Sequence, residues 1–190
     1  MFTEWMSRGK PTVLGAASGA VAGLVAITPA SGFVTPMASV IIGGVAGWLC
    51  YTACNIKTKL GYDDSLDVVG VHGVGGTWGA LATGLFATKA VNDAGGNGLF
   101  YGNPGQLWVQ IVAVASTYIL AIVGTVVILK IVDALVGLRV SVEDEMAGLD
   151  LSQHSETAYS AGGGFGEFGT ASGGMGEPVR AAEGKPRVAH

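Results

Sequence analysis

The chain has 190 residues, of which 49% are hydrophobic and only 13% charged, and its net charge is −4. A soluble domain carries about 25% charge, so this composition excludes an ordinary soluble protein and points to one embedded in a membrane. Nothing in the charge pattern suggests a nucleic-acid surface.

The few charges are unevenly placed. None falls between Pro11 and Ile56, between Val68 and Thr88, or between Ala94 and Leu129. Each gap holds at least one helix of the roughly 20 apolar residues that cross the hydrocarbon core. The expected fold is therefore all-α, a polytopic transmembrane helix bundle of four spans. The opening segment, Met1 to Lys10, has no signal-peptide pattern, because its bases lead into a full-length span without an evident cleavage site. The first span is predicted over about 11–27, with Pro11 suited to a first helical turn, where its missing N–H costs nothing. Thr28-Pro-Ala-Ser-Gly-Phe-Val-Thr-Pro36 reads as a turn. The second span is predicted over about 36–56, ending at Lys57 and Lys59. The third is predicted over about 66–88, opening among Asp63, Asp64 and Asp67. A polar, Gly-rich loop follows to Gly105, and the fourth span is predicted over about 106–138. At 1.5 Å per residue the last is roughly 50 Å long against a core of roughly 30 Å, so it should tilt or project.

Residues 1–139 thus form the transmembrane region. Residues 140–159 form an acidic tail segment, and residues 160–190 are Gly-rich and expected to be disordered. Beyond Val140 there are eight acids against three bases. Arg8, Lys10, Lys57, Lys59, Lys130 and Arg139 all lie at span ends on one predicted side. The positive-inside rule then puts both termini in the cytoplasm. Glycines recur at four-residue spacing, at Gly15, Gly19 and Gly23, at Gly43 and Gly47, and at Gly75 and Gly79. Such ridges let helices pack closely in lipid.

The chemistry centres on Asp67-Val-Val-Gly-Val-His72-Gly-Val-Gly75-Gly76. An ionisable ring inside a span is expensive and usually lines a pathway or cavity. A neutral imidazole offers one donor and one acceptor nitrogen, enough to hydrogen-bond a small amine or relay a proton. Packing between helices is the alternative, and the residues alone leave both open. Val68 lies one turn earlier on the same face and is a candidate apolar wall of the same path. Asp67, the deepest of the three acids, is a candidate to fix the helix entry through backbone N–H groups. Cys50 and Cys54, one turn apart, read as packing residues, and no ligand cluster suggests a metal or cofactor.

The chain resembles the C-terminal part of the Amt/Mep/Rh ammonium transporter family. The segments that carry the likeness are Gly9-Lys-Pro-Thr-Val-Leu-Gly15, Gly23-Leu-Val-Ala-Ile-Thr-Pro29, the His72 segment and Val136-Gly-Leu-Arg-Val140. Glu145, Gly148-Leu-Asp150, His154 and Ala158-Tyr159 continue it. The resemblance implies the last four of eleven spans, a homotrimer with one pore per subunit, a plasma-membrane location, and ammonium or ammonia as substrate. By the same resemblance His72 matches the second of two pore histidines and Val68 a pore-wall position. Ser152 stands where some members carry a phosphorylated Thr in a tail that couples subunits. The partner histidine and the gating phenylalanines of the family lie outside the matching part. The expected function is ammonium transport by a C-terminal fragment or partial record of such a transporter. The alternative is a non-conducting membrane module that packs with full-length subunits.

Overall fold

The computed structural model describes residues 1–157, which contain helices and turns and no strand. The Gly-rich segment 160–190, and Ala158-Tyr159 before it, lie outside the described residues. The chain divides into two compact units, Met1–Val136 and Gly137–His190.

The first unit opens with a short helix that sequence reasoning did not foresee, α1 (Phe2–Arg8), ended by Gly9 in the left-handed conformation at φ 76°. Its Glu4 is buried, and its carboxylate accepts hydrogen bonds from the Thr12 hydroxyl at 2.8 Å and the Thr12 N–H at 3.2 Å. Thr12 in turn caps α2 (Val13–Ile27), its hydroxyl accepting from the Gly15 N–H at 2.9 Å. The expected turn begins as a tight 3-10 extension, Thr28–Ala30, which carries the helical run to 18 residues. Thr35 caps α3 (Pro36–Leu60), with Pro36 in the first position, where no N–H is needed. Gly61 closes α3 at φ 68°, one turn beyond the expected end, and Lys57 and Lys59 lie in its last turn, where the helix dipole favours cations.

The third expected span is not one helix. A π-helical turn, Val69–Gly73, runs into α4 (Val74–Phe86). Among the described residues three helical runs, Val13–Ala30, Pro36–Leu60 and α5 (Pro104–Val136), are long and apolar enough to cross a membrane. The His72 segment is shorter, because its start is taken up by turns among the aspartates.

The core lies where α2, α3 and α4 meet. Ala26, Ala30, Ala38, Ile42, Ala46 and Ala82 are at most 5% exposed and form one cluster, while Ala22, Cys50 and Val71 form a second. In lipid, burying apolar area releases little water, so contact quality and hydrogen bonds decide helix association. Both are present. A Cβ on Gly79 would run into the Ala26 carbonyl oxygen, and one on Gly75 would sit 3.1 Å from the Cys50 Sγ. The Trp78 indole N–H donates to the Ile42 carbonyl at 3.0 Å. The small-residue seam is therefore built from glycines on α4 facing Ala22 and Ala26 of α2 and Cys50 of α3. A Cβ on Gly23, Gly43 or Gly47, glycines expected in close seams, would meet no other helix or side chain within 4 Å among the described residues.

The second unit holds α6 (Val142–Ala147) and α7 (Leu149–Ser152). The Ser141 hydroxyl caps α6, accepting from the Asp144 N–H at 3.1 Å and donating to the Asp144 carboxylate at 2.9 Å. Gly148, at φ 96°, links the two helices.

Candidate functional site

The π turn is assembled from its entry upward. Asp64 sends both carboxylate oxygens to free backbone donors, accepting from the Val68 N–H at 2.8 Å and the Val69 N–H at 2.9 Å. This is the role expected of Asp67, three residues too far along. Asp67 itself takes a left-handed backbone conformation at φ 57°, and its carboxylate pairs with Lys57 Nζ of α3 at 2.5 Å. The same ammonium donates to the Asp64 carbonyl at 2.6 Å.

The turn then lies on α3. A Cβ on Gly70 would be 2.6 Å from the Cys54 Sγ, and the Cys50 thiol points at the Val71 carbonyl, 3.7 Å away. Both cysteines are free thiols used in packing. With Gly70 and Val71 buried against α3, the next residue, His72, faces the other way and is exposed. Neither ring nitrogen has a hydrogen-bond partner among the described residues.

His72 opens onto a groove of about 360 Å³ between α4 and α5. One wall is His72, Gly76 and Ala80, and the other is Ala113, Thr117 and Ala121, each set at the four-residue spacing of a single helix face. The groove also contains Thr77 and Tyr118, whose hydroxyls are 2.6 Å apart, and Thr77 donates to the Gly73 carbonyl at 2.7 Å. Apart from His72 and the Thr77, Thr117 and Tyr118 side chains its walls are aliphatic or glycine, so a small solute there meets the imidazole as the strongest hydrogen-bonding group. A second groove, between α1 and α3, is lined by Phe2, Thr3, Met6, Ser7, Gly44 and Trp48 and holds no ionisable side chain.

Of the expected site residues in the first unit, only His72 lines the groove. Val68 is half exposed at the start of the π turn and does not line it. The extra residue in a π turn breaks the simple one-turn relation on which the Val68 expectation rested. Asp67 sits at the helix entry, as expected, but through Lys57 rather than backbone donors. Ser152 lies in the second unit, its hydroxyl donating to the Asp144 carbonyl at 3.2 Å. Sequence reasoning missed Thr77 and Tyr118. Thr77 was within reach of it, one turn beyond Gly73, but its partner 41 residues later was not. No group of three or more His, Cys, Asp or Glu side chains is placed to hold a metal among the described residues.

Comparison with known proteins gives one answer. The model of the Ammonium Transporter Family matches residues 1–159. An ammonium transporter of Bacillus subtilis is 56% identical over 160 residues, covering 84% of this chain and 40% of the relative. Ammonium transporter Amt1 of Archaeoglobus fulgidus is 51% identical over the same shares. Among solved structures, Candida albicans Mep2 superposes with a TM-score of 0.71 at 36% identity, covering 80% of this chain and 35% of that one. Saccharomyces cerevisiae Mep2 gives 0.70 at 35% identity, over 75% and 34%. The chain spans about 40% of the length of the curated relatives it matches.

Proposed function

The chain belongs to the Ammonium Transporter Family, and from that premise we propose that it forms part of the path by which ammonium or ammonia crosses a membrane. The observation that carries the reading is the exposed imidazole of His72, without a hydrogen-bond partner among the described residues, at the mouth of a groove of otherwise small and mostly apolar residues. A neutral ring there accepts a hydrogen bond from the solute at one nitrogen and donates at the other, so it can hold a small amine or hand on a proton. Val68, on the approach to the turn, serves as an apolar flank. Asp67 serves by fixing the entry of the turn.

Both walls of the groove come from this chain, and its open side is where a further transporter segment would close the path. Bases at the span ends support cytoplasmic termini in the plasma membrane, and family membership supports assembly as a homotrimer. In the second unit we propose Ser152 as a phosphorylation switch. A phosphate removes the hydroxyl's bond to the Asp144 carbonyl and adds charge beside Asp144 and Asp150. Mixing Ser152→Asp with unmodified subunits should then inhibit uptake by more than the substituted share. A linear mixing curve would exclude coupling through this residue.

The main test is a chimera in which residues 1–159 replace the matching segment of the Bacillus subtilis relative. It should restore ammonium-limited growth to transporter-deficient cells, whereas this 190-residue chain expressed alone should not. His72→Ala in the chimera should change flux or ion selectivity while assembly survives. Unchanged flux and selectivity in a well-assembled His72→Ala chimera would reduce His72 to a packing residue.

A further inference from the structure

We propose that Lys57 is a positioning residue: its ammonium, reaching from α3 to Asp67 and the Asp64 carbonyl, holds the turn 69–73 in π register and thereby sets the direction of His72. The inference rests on the reading of His72 as a path residue and adds a control over it that the groove does not contain.

Three independent features of the turn point to this clamp. The first is backbone strain. Asp67 is one of two non-glycine residues with positive φ among the described residues, and the other, Ser155, is in the second unit. A left-handed L-residue is disfavoured and persists only where its surroundings hold it there. Its backbone is held by the Asp67 N–H donating to the Asp64 carbonyl at 3.2 Å and by the Asp67 carbonyl accepting from the Val71 N–H at 2.9 Å, and its carboxylate is tied to the neighbouring helix by Lys57, whose side chain is only 19% exposed. The second is the register itself. A π turn carries an extra residue, and π turns occur mostly as single-turn bulges in α-helices, frequently at functional sites. Returning it to α geometry rotates the segment before it by up to about 100° against the helix that follows, the angle of one residue in a 3.6-residue turn. A rotation of that order takes His72 out of the groove. The third is the seat. Gly70 rests on Cys54, with no room for a side chain, and Val71 is buried beside Cys50. These contacts fit only while Gly70 and Val71 face α3. The ammonium therefore bridges two points of the entry, the Asp64 carbonyl and the Asp67 carboxylate, to the helix on which the turn lies. Asp64 fixes the first donors of the turn, and Lys57 fixes how the turn is seated.

The clamp can be tested on the full 190-residue chain in lipid vesicles without any transport assay, so failure here and failure of the transport reading are separable. Two readouts are available. The chain has two cysteines, so a Cys50→Ala background leaves Cys54, under Gly70, as the sole thiol. It has three histidines, so His154→Gln and His190→Gln leave His72 as the sole imidazole in a nitrogen NMR spectrum. Lys57→Met should raise the rate of Cys54 alkylation by N-ethylmaleimide about five- to thirtyfold, the range expected when one buried tie is lost. It should also move or broaden the His72 signal. Lys57→Arg, which keeps a charged donor, should restore both. If Lys57→Met does not fold, Asp67→Ala removes the same tie from the other side and should give the same change in the His72 signal, which is the readout used there because Asp67 also acts directly on the Cys54 thiol. In folded protein, the double variant should disturb the His72 signal no more than the worse single one, because for that readout both break one interaction. A lowered unfolding midpoint with unchanged Cys54 rate and His72 signal would overturn the proposal and leave Lys57 a stabilising residue only. Additive effects in the double variant would also overturn it.

Discussion

Two regions of the first unit meet the same solvent with opposite solutions. The α2–α3–α4 cluster buries alanines against glycines and ties helices together with the Trp78 to Ile42 hydrogen bond. Helix α5 is the longest and most apolar of the set, yet it buries none of its 33 residues among the described residues. It is joined to α4 by the Thr77–Tyr118 pair and by the close approach of Gly84 to Leu107. In water such a helix would be an aggregation hazard. In a bilayer its apolar surface costs nothing, so apolarity alone does not tell a lipid face from a packing face. The difference teaches that small residues opposite one another, not hydrophobic content, mark where this protein's helices meet.

The strongest way to break that contrast is a matched pair of glycine substitutions. Gly79→Leu drives a side chain into the Ala26 carbonyl, and overpacking of a seam that cannot open should cost about 3 kcal/mol. The expected outcome is a collapse in the yield of monodisperse protein from detergent and a large drop in unfolding midpoint. Gly124→Ala in α5 adds a methyl where nothing lies within 4 Å, and the midpoint should move by less than about 0.5 kcal/mol equivalent. Similar losses for both would mean that α5 is as tightly packed as the seam.

Hydrogen bonds rank next. Trp78→Phe removes the donor to the Ile42 carbonyl and should cost about 1 kcal/mol, read from denaturant unfolding in micelles. Tyr118→Phe removes the hydroxyl paired with Thr77 and should cost about 0.6 kcal/mol, the usual scale for such bonds in membranes. A larger loss for Tyr118→Phe than for Trp78→Phe would reverse the ranking of the two regions.

The smallest expected effect is a pH dependence at the start of the α2 cluster. The Thr12 hydroxyl, and after it the Thr12 N–H, hold the Glu4 carboxyl below its ordinary value of 4.5. A depressed carboxyl adds stability that is fully present above the unfolded value and is lost as pH falls through the folded one. Unfolding should therefore become easier below about pH 4.5, by a slope that Glu4→Gln flattens. An identical acid slope in Glu4→Gln would place the dependence on other carboxylates.

Much of this was legible in the amino-acid order. The spacing of charges located the three long apolar helices to within a few residues, because every polar interruption of a span is costly. Pro36 opens its helix as expected, whereas Pro11 falls before the Thr12 cap and outside α2, because the Thr12 hydroxyl takes a free donor of the first turn. His72 stood out because an ionisable ring in an uncharged run is rare. The π turn was not legible. It depends on the pairing of Asp67 with a lysine ten residues earlier and on the fit of Gly70 over Cys54. Three aspartates within five residues also hid which one caps the turn, since any of them suits a helix start.

By itself, then, the sequence determined that this protein is an assembly of apolar helices and where the long ones lie, and it singled out His72 as the candidate for chemistry within them. These are consequences of residue type and local spacing, which act wherever the chain goes. Only the tertiary structure decided which stripe of small residues forms the seam. Alanine and glycine stripes share the same period, and the choice between them depends on the facing helix. It also decided that the His72 segment opens as a π turn seated on α3, with its imidazole turned to a groove against α5. That arrangement depends on contacts between residues far apart in sequence, and no single segment carries the information for it.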